Sequence, residues 1–392
     1  MNTIITYLSK YGDKDLSEEP FNEIDSLILC QLSYLHYDAF VGSVKDEASP
    51  VAVRDIFESE DYEELFLDYW FKKDNHKLFE GFVRSKRFGE TTLNFFENII
   101  STESEAQFSA ITFILPDKSV YVAFRGTDAT LIGWKEDLKL AYSKPLRSQE
   151  LAAGYLIDVS GTFSGPFRVG GHSKGGNLAV YATMNVPYSI RDRVLDVYDH
   201  DGPGFRPEIL DQGHFEELKD KVHKYIPKSS IVGIILEEQL PYEIVESYSV
   251  GALQHNTYTW KCKDSRLVRA KGSNGIRDLS EKTLNEWILS LSKSEVDAFI
   301  DTLFDILTAG DAKSIFDIVK NPGETLSFGV SAFKDLSEET KHVLFIIFKR
   351  LVGIMNENAL SQFLAETHKI KEKIDRQVSK LKVTNSEEEG NQ

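Results

Sequence analysis

The sequence predicts an α/β protein with a mainly parallel sheet, a helical N-terminal segment and a helical C-terminal subdomain. Three observations predict it. Two β-rich runs, Phe108–Leu115 and Ser119–Phe124, are separated by Pro116-Asp117-Lys118, a turn sequence. Beyond them strand-like and helix-like runs alternate, as parallel strands joined by helices require. Between one such strand and helix stands Gly171-His172-Ser173-Lys174-Gly175, a serine framed by glycines at a tight turn.

Taken in order, the first hundred residues read as mainly helical. Asn22 to Tyr37 carries Ile24, Leu27, Ile28, Leu32 and Leu35 at the spacing of one buried helical face. Asp55 to Phe71 is acidic and aromatic, and Thr91 to Ile100 reads as a further helix. After the hairpin, Leu131–Leu140 and Gln149–Val159 read as helices, and Phe167–Gly170 as the strand that leads to the serine. Gly176 to Thr183 reads as a helix of small and apolar residues, Val194–Tyr198 as a strand, Arg206–Asp220 as a helix and Lys221–Ile226 as a strand.

From about Leu267 the strand signals stop. Leu279–Leu307 and Ser337–Leu381 are long amphipathic patterns, and Asn385–Gln392 is a polar, acidic stretch expected to be disordered. The expected organisation is therefore a helical segment over 1–100, a core over 101–267, a helical subdomain over 268–384 and a tail over 385–392.

Composition narrows the function. The 392 residues are 41% hydrophobic and 27% charged, as in a globular protein with ample material for a core. Lys and Arg number 45 against 62 Asp and Glu, so nucleic acid is not an expected partner. Cys30 and Cys262 are the only cysteines, which argues against a disulfide framework and for a reducing, cytoplasmic setting. The segment Met1–Lys10 lacks the basic and apolar regions of a secretory signal, and no apolar run is long enough to span a bilayer. No Cys/His spacing suggests zinc, no acidic loop suggests calcium, and Gly170–Gly176 lacks phosphate-loop spacing, so neither metal nor cofactor is expected. The acidic cluster Glu58–Glu64 reads as a solvated face, and Phe66, Tyr69, Trp70 and Phe71 as core before acyl pocket or lid.

A serine hydroxyl needs a base, and the base needs an acid to orient it. In α/β-hydrolases the chain order is serine, acid, histidine. His255, in Leu253–Trp260, falls where that base belongs. His200, His214 and His223 are its rivals, the last two expected at the surface. One oxyanion donor is the backbone N–H of Lys174, directly after the nucleophile.

Val122–Leu138, with Phe124-Arg125-Gly126-Thr127 and Trp134-Lys135-Glu136-Asp137-Leu138, resembles the class 3 lipase pattern. The resemblance implies an α/β-hydrolase (lipase-like) fold and Thr127 as second oxyanion donor. Gly171–Ala179, Asp201-Gly202-Pro203-Gly204-Phe205 and Gln254-His255 look closer still to the Mbeg-like proteins, bacterial members of the α/β-hydrolase superfamily. That likeness covers about residues 20 to 260 and is strongest from 120 onward.

One departure concerns the acid. Class 3 lipases place an aspartate where this chain has Lys228-Ser229-Ser230. Asp201, after the Val194–Tyr198 strand at the carboxyl edge of the sheet, is the replacement, unless it only organises the Gly-Pro-Gly turn. Glu237, Glu238 and Asp199 are the fallback acids. The resulting expectation is a serine esterase acting on a carboxylic ester, lipid esters included, with Ser173, His255 and Asp201 as triad. The alternative is a hydrolase-fold binding or regulatory protein without turnover. The sequence leaves the oligomeric state open.

Overall fold

A computed structural model describes residues 1–46, 49–67, 71–101, 106–127, 145–230, 232–236, 240–270 and Asn285. Among these, eight strands form one sheet in strict chain order: β1 Val51–Ala52, β2 Thr92–Ser101, β3 Ala106–Ile114, β4 Val120–Phe124, β5 Phe167–His172, β6 Val194–His200, β7 Val222–Pro227 and β8 Tyr242–Val245. The first four pair antiparallel, and β4 through β8 run parallel.

The expected hairpin is present. β3 and β4 pair with Ile114 opposite Val120, and Lys118 takes φ 68° in the turn. The Asp117 side chain accepts from Ser119 N at 3.0 Å, which closes the turn locally.

Every residue of β4 is buried, because the sheet is covered on both faces. Tyr121 and Ala123 join a core shared with α1 (Ile4–Tyr11), α2 (Glu23–Leu32) and α4 (Lys72–Arg84), while α3 (Val53–Phe57) contributes Val53 and Ile56. Val120, Val122 and Phe124 point the other way, into a core shared with the helices Arg147–Thr162 and Lys174–Asn185. α2 starts where the Asn22 side chain accepts from Ile24 N at 2.9 Å and Asp25 accepts from Asn22 N at the same distance, a reciprocal cap.

Thr91–Ile100 is not the expected helix; Thr92–Ser101 is β2. The cause is a bulge. Asn94 pairs with Thr112 and Glu97 with Ala110, so Phe95 and Phe96 together oppose a single residue, with Phe95 at φ 54°. The extra residue breaks the two-residue alternation and leaves apolar residues at helix-like spacing. The sheet therefore begins well before residue 101. The expected helix over 206–220 is likewise interrupted, as Pro207–Gln212 and Phe215–Leu218 separated at Gly213.

Leu131–Leu140, Tyr69, Trp70 and the 385–392 tail lie outside the described residues, as does the region from 271 onward apart from Asn285. Asn285 is buried, accepts from Leu236 N at 2.9 Å and donates to the Ile234 carbonyl at 3.1 Å. No helix among the described residues is long and apolar enough to cross a membrane.

Candidate active site

Parallel register brings the carboxyl ends of β5 and β6 level with each other and with Tyr225 of β7. His172 of β5 lies beside His200 of β6, which lies beside Tyr225 of β7. Ser173 and Asp201 each follow one of these ends by a single residue. Ser173 N donates to the His200 carbonyl at 2.9 Å, and Asp201 N to the Tyr225 carbonyl at 2.8 Å. Both residues take left-handed backbone, at φ 59° and 61°. For residues with a side chain that is strained, and it persists only where surrounding structure over-determines it.

Around Ser173 that surrounding structure is close backbone. A Cβ on Gly171 would stand 2.1 Å from the Gly175 carbonyl carbon, and one on Gly175 2.1 Å from the Phe124 carbonyl oxygen. The two motif glycines thus let the turn press against itself and against the end of β4. The helix Lys174–Asn185 starts directly after the serine, so Lys174 N–H belongs to its first turn, at the positive end of the helix. The Lys174 ammonium is turned away from that point, donating to the Gln107 carbonyl at 2.6 Å. Gly126 closes the same space from β4: a Cβ there would lie 3.1 Å from Ser173 Cβ and 2.5 Å from the His172 carbonyl. Thr127, buried, is the next residue.

His255 ends a 3-10 turn, Gly251–His255, with its side chain 16% exposed. Neighbours brace that turn from three sides. Gln254 accepts from Ser229 N at 2.8 Å, buried Trp260 donates to the Gln254 carbonyl at 2.8 Å, and Thr257 donates to Gln31 of α2 at 2.6 Å. His255 Nδ1 is 2.6 Å from Asp201 Oδ2. A carboxylate only accepts, so Nδ1 donates and Nε2 keeps the lone pair.

Asp201 is fully buried. Its Oδ2 also accepts from Ser230 Oγ at 2.8 Å, and its Oδ1 lies where a Cβ on Gly233 would come within 2.3 Å. Ser230, at the position whose expected aspartate is missing, thus donates to an aspartate carried by the preceding strand.

The rivals are engaged elsewhere. His200 is buried with Nε2 2.9 Å from Ser26 Oγ, and burial pushes its pKa down to about 3. His223 pairs with Asp196 at 2.9 Å and His214 with Glu217 at 3.1 Å. Asp199 forms a fully buried ion pair with Lys224 at 2.7 Å, while its Oδ1 accepts from Gly202 N at 2.8 Å. Lys224 also donates to the Gly202 carbonyl at 2.6 Å, so the pair holds both polar groups of the residue after Asp201. Glu237 and Glu238 lie outside the described residues.

Sequence reasoning missed Ser230, Lys224, Tyr34 and the ring of His172. Only Lys224 left a signal, a lysine inside a strand of otherwise apolar character, where burial demands a partner. Among the described residues, no group of three or more His, Cys, Asp or Glu is placed to hold a metal ion.

The chain matches the Mbeg1-like family over residues 82–305, more than half its length. No curated protein matches it. Among solved structures it is similar to the Rhizomucor miehei lipase propeptide complex, at 14% identity and TM-score 0.31, with 40% of this chain and 58% of that one covered. It is also similar to M37 lipase, at 14% identity and TM-score 0.33, with 53% and 68% covered.

Proposed function

The chain belongs to the Mbeg1-like family, and on that premise we propose that it is a serine hydrolase of lipase or esterase type, cleaving carboxylic esters. Ser173 is the nucleophile, His255 the base and Asp201 the acid. Ser173 Oγ attacks the ester carbonyl carbon as its proton passes to His255 Nε2. The carbonyl oxygen, now negative, is held by the backbone N–H groups of Lys174 and Thr127. Collapse breaks the bond to the alcohol, which leaves with the proton from His255. Water then repeats the sequence on the acyl-enzyme and releases the acid.

The observation that carries this reading is the 2.6 Å hydrogen bond from His255 Nδ1 to buried Asp201. It fixes the tautomer that a base needs and stabilises the imidazolium that forms. Asp201 is then more than a turn-former, and Ser230 supports it in place of the aspartate expected after β7.

Labelling with a fluorophosphonate probe tests the assignment. Wild type is expected to label at Ser173 and Ser173→Ala not at all, with turnover of nitrophenyl esters falling at least about a thousandfold. Equal, poor labelling of both would overturn the reading and leave a protein that binds without turnover. A series of nitrophenyl esters of increasing chain length would then define the acyl preference.

A further inference from the structure

We propose that Tyr34 and His172 form a positioning pair that fixes the main chain of His255, and through it the ring that acts as base. The proposal rests on the reading of His255 given above.

His172 Nε2 lies 2.9 Å from the His255 carbonyl oxygen. A carbonyl only accepts, so Nε2 carries the proton. In a neutral imidazole Nδ1 must then accept, and the Tyr34 hydroxyl stands 3.0 Å from it as donor. The two histidine rings are 4.5 Å apart between centroids, tilted by 36°. His255 is therefore held twice, its side chain by Asp201 and its backbone by His172. The residue immediately before the nucleophile fixes the residue that activates it.

Tyr34 comes from the N-terminal helical layer, two residues beyond α2. It reaches the site because Gly126 has no side chain: a Cβ there would lie 2.1 Å from the Tyr34 hydroxyl. One hydroxyl thus touches both the oxyanion loop and the imidazole that braces the base.

The groups facing His172 are His255, His200 and Tyr34. Burial, reinforced by the two neighbouring imidazoles, holds His172 well below the usual histidine range. It stays neutral while His255 takes and returns a proton, so no second cation opposes the charge that forms there.

The test joins the tautomer of His172, read by NMR of protein labelled with ¹⁵N-histidine, to fluorophosphonate labelling rates across pH for three variants. In wild type His172 is expected neutral, with its proton on Nε2, throughout the pH range of the labelling assay. His172→Leu should label about tenfold more slowly, the equivalent of one buried hydrogen bond, with the acid limb of its pH profile moved. His172→Gln, whose amide keeps a donor for the His255 carbonyl, should recover most of that loss at an unchanged profile. Tyr34→Phe should fall between them. A His172 proton on Nδ1, or variants that keep wild-type rate and profile, would overturn the proposal. If the variants do not fold, the wild-type tautomer decides alone. Absence of Ser173 labelling in wild type would instead sink the hydrolase reading, while the tautomer still judges the His172–His255 bond.

Discussion

Among the described residues two ion pairs are completely buried, and they do different things. Arg87 and Asp25 meet among the N-terminal helices, and Lys224 and Asp199 meet beneath the serine turn. Arg87 reaches both Asp25 oxygens and the carbonyls of Lys14, Asp15, Glu19 and Pro20, while Asp25 also accepts from Tyr7 at 3.1 Å. The planar guanidinium, with five donors, serves where one residue must close a long loop against two helices. Lys224 is a compact charge between two adjacent strands, donating to Asp199 and to the Gly202 carbonyl. In both pairs burial pushes the carboxyl upward and the cation opposes it. The same chemistry thus stabilises a layer in one place and shapes a loop in the other.

The sharpest way to break this contrast is to delete each cation. Arg87→Met and Lys224→Met should each lower stability by about 3–5 kcal/mol, because each leaves a buried carboxylate without its partner. Urea unfolding measures this. Fluorophosphonate labelling per folded molecule should survive in Arg87→Met and fall in Lys224→Met, whose loss releases the loop after Asp201. Matching behaviour in both assays would abolish the distinction.

A smaller effect is expected at Ser230. Ser230→Ala removes one donor from buried Asp201, a hydrogen bond to a charged group worth about 1.5–3 kcal/mol. Nitrophenyl ester turnover should drop about tenfold or more, since the Asp201 carboxylate is then less well held. Unchanged turnover would show that the hydroxyl only fills space.

The gentlest test is pH. His200 is held down to about 3 from an ordinary 6.5, and His172 is held low as well. Between those limits the unfolded chain takes up protons that the folded one refuses, so stability is full above pH 6.5 and is lost as pH falls. Each group contributes a slope of about 1.4 kcal/mol per pH unit within its window. Urea midpoints followed downward from neutral pH should fall, and His200→Gln should flatten the trend. A flat wild-type profile would contradict the burial of these rings.

Much of this architecture was legible because its signals are local. The hairpin announced itself through Pro116-Asp117-Lys118, and the serine turn through its two glycines. The order of serine, acid and histidine pointed to His255, and the carboxyl edge of the sheet to Asp201 as one acid among several; a hydrogen bond joins the two side chains. What escaped was set by contacts distant in sequence. The bulge at Phe95 disguised β2 as a helix, and no pattern near Tyr34 points to a histidine 138 residues away. The replacement of a lipase-like aspartate by Ser230 looked like a loss; only the fold shows that hydroxyl beside the aspartate of the neighbouring strand.

Asn285 carries a practical consequence for anyone shortening this polypeptide. A fragment ending at 270 would contain every described strand of the large sheet and all three residues proposed as the triad. It would nonetheless lack the amide that grips Ile234 and Leu236, next to Gly233 and the carboxylate that glycine accommodates. Trimming to the visible sheet would therefore loosen the surroundings of Asp201 from outside, without altering Ser173, His255 or Asp201 itself.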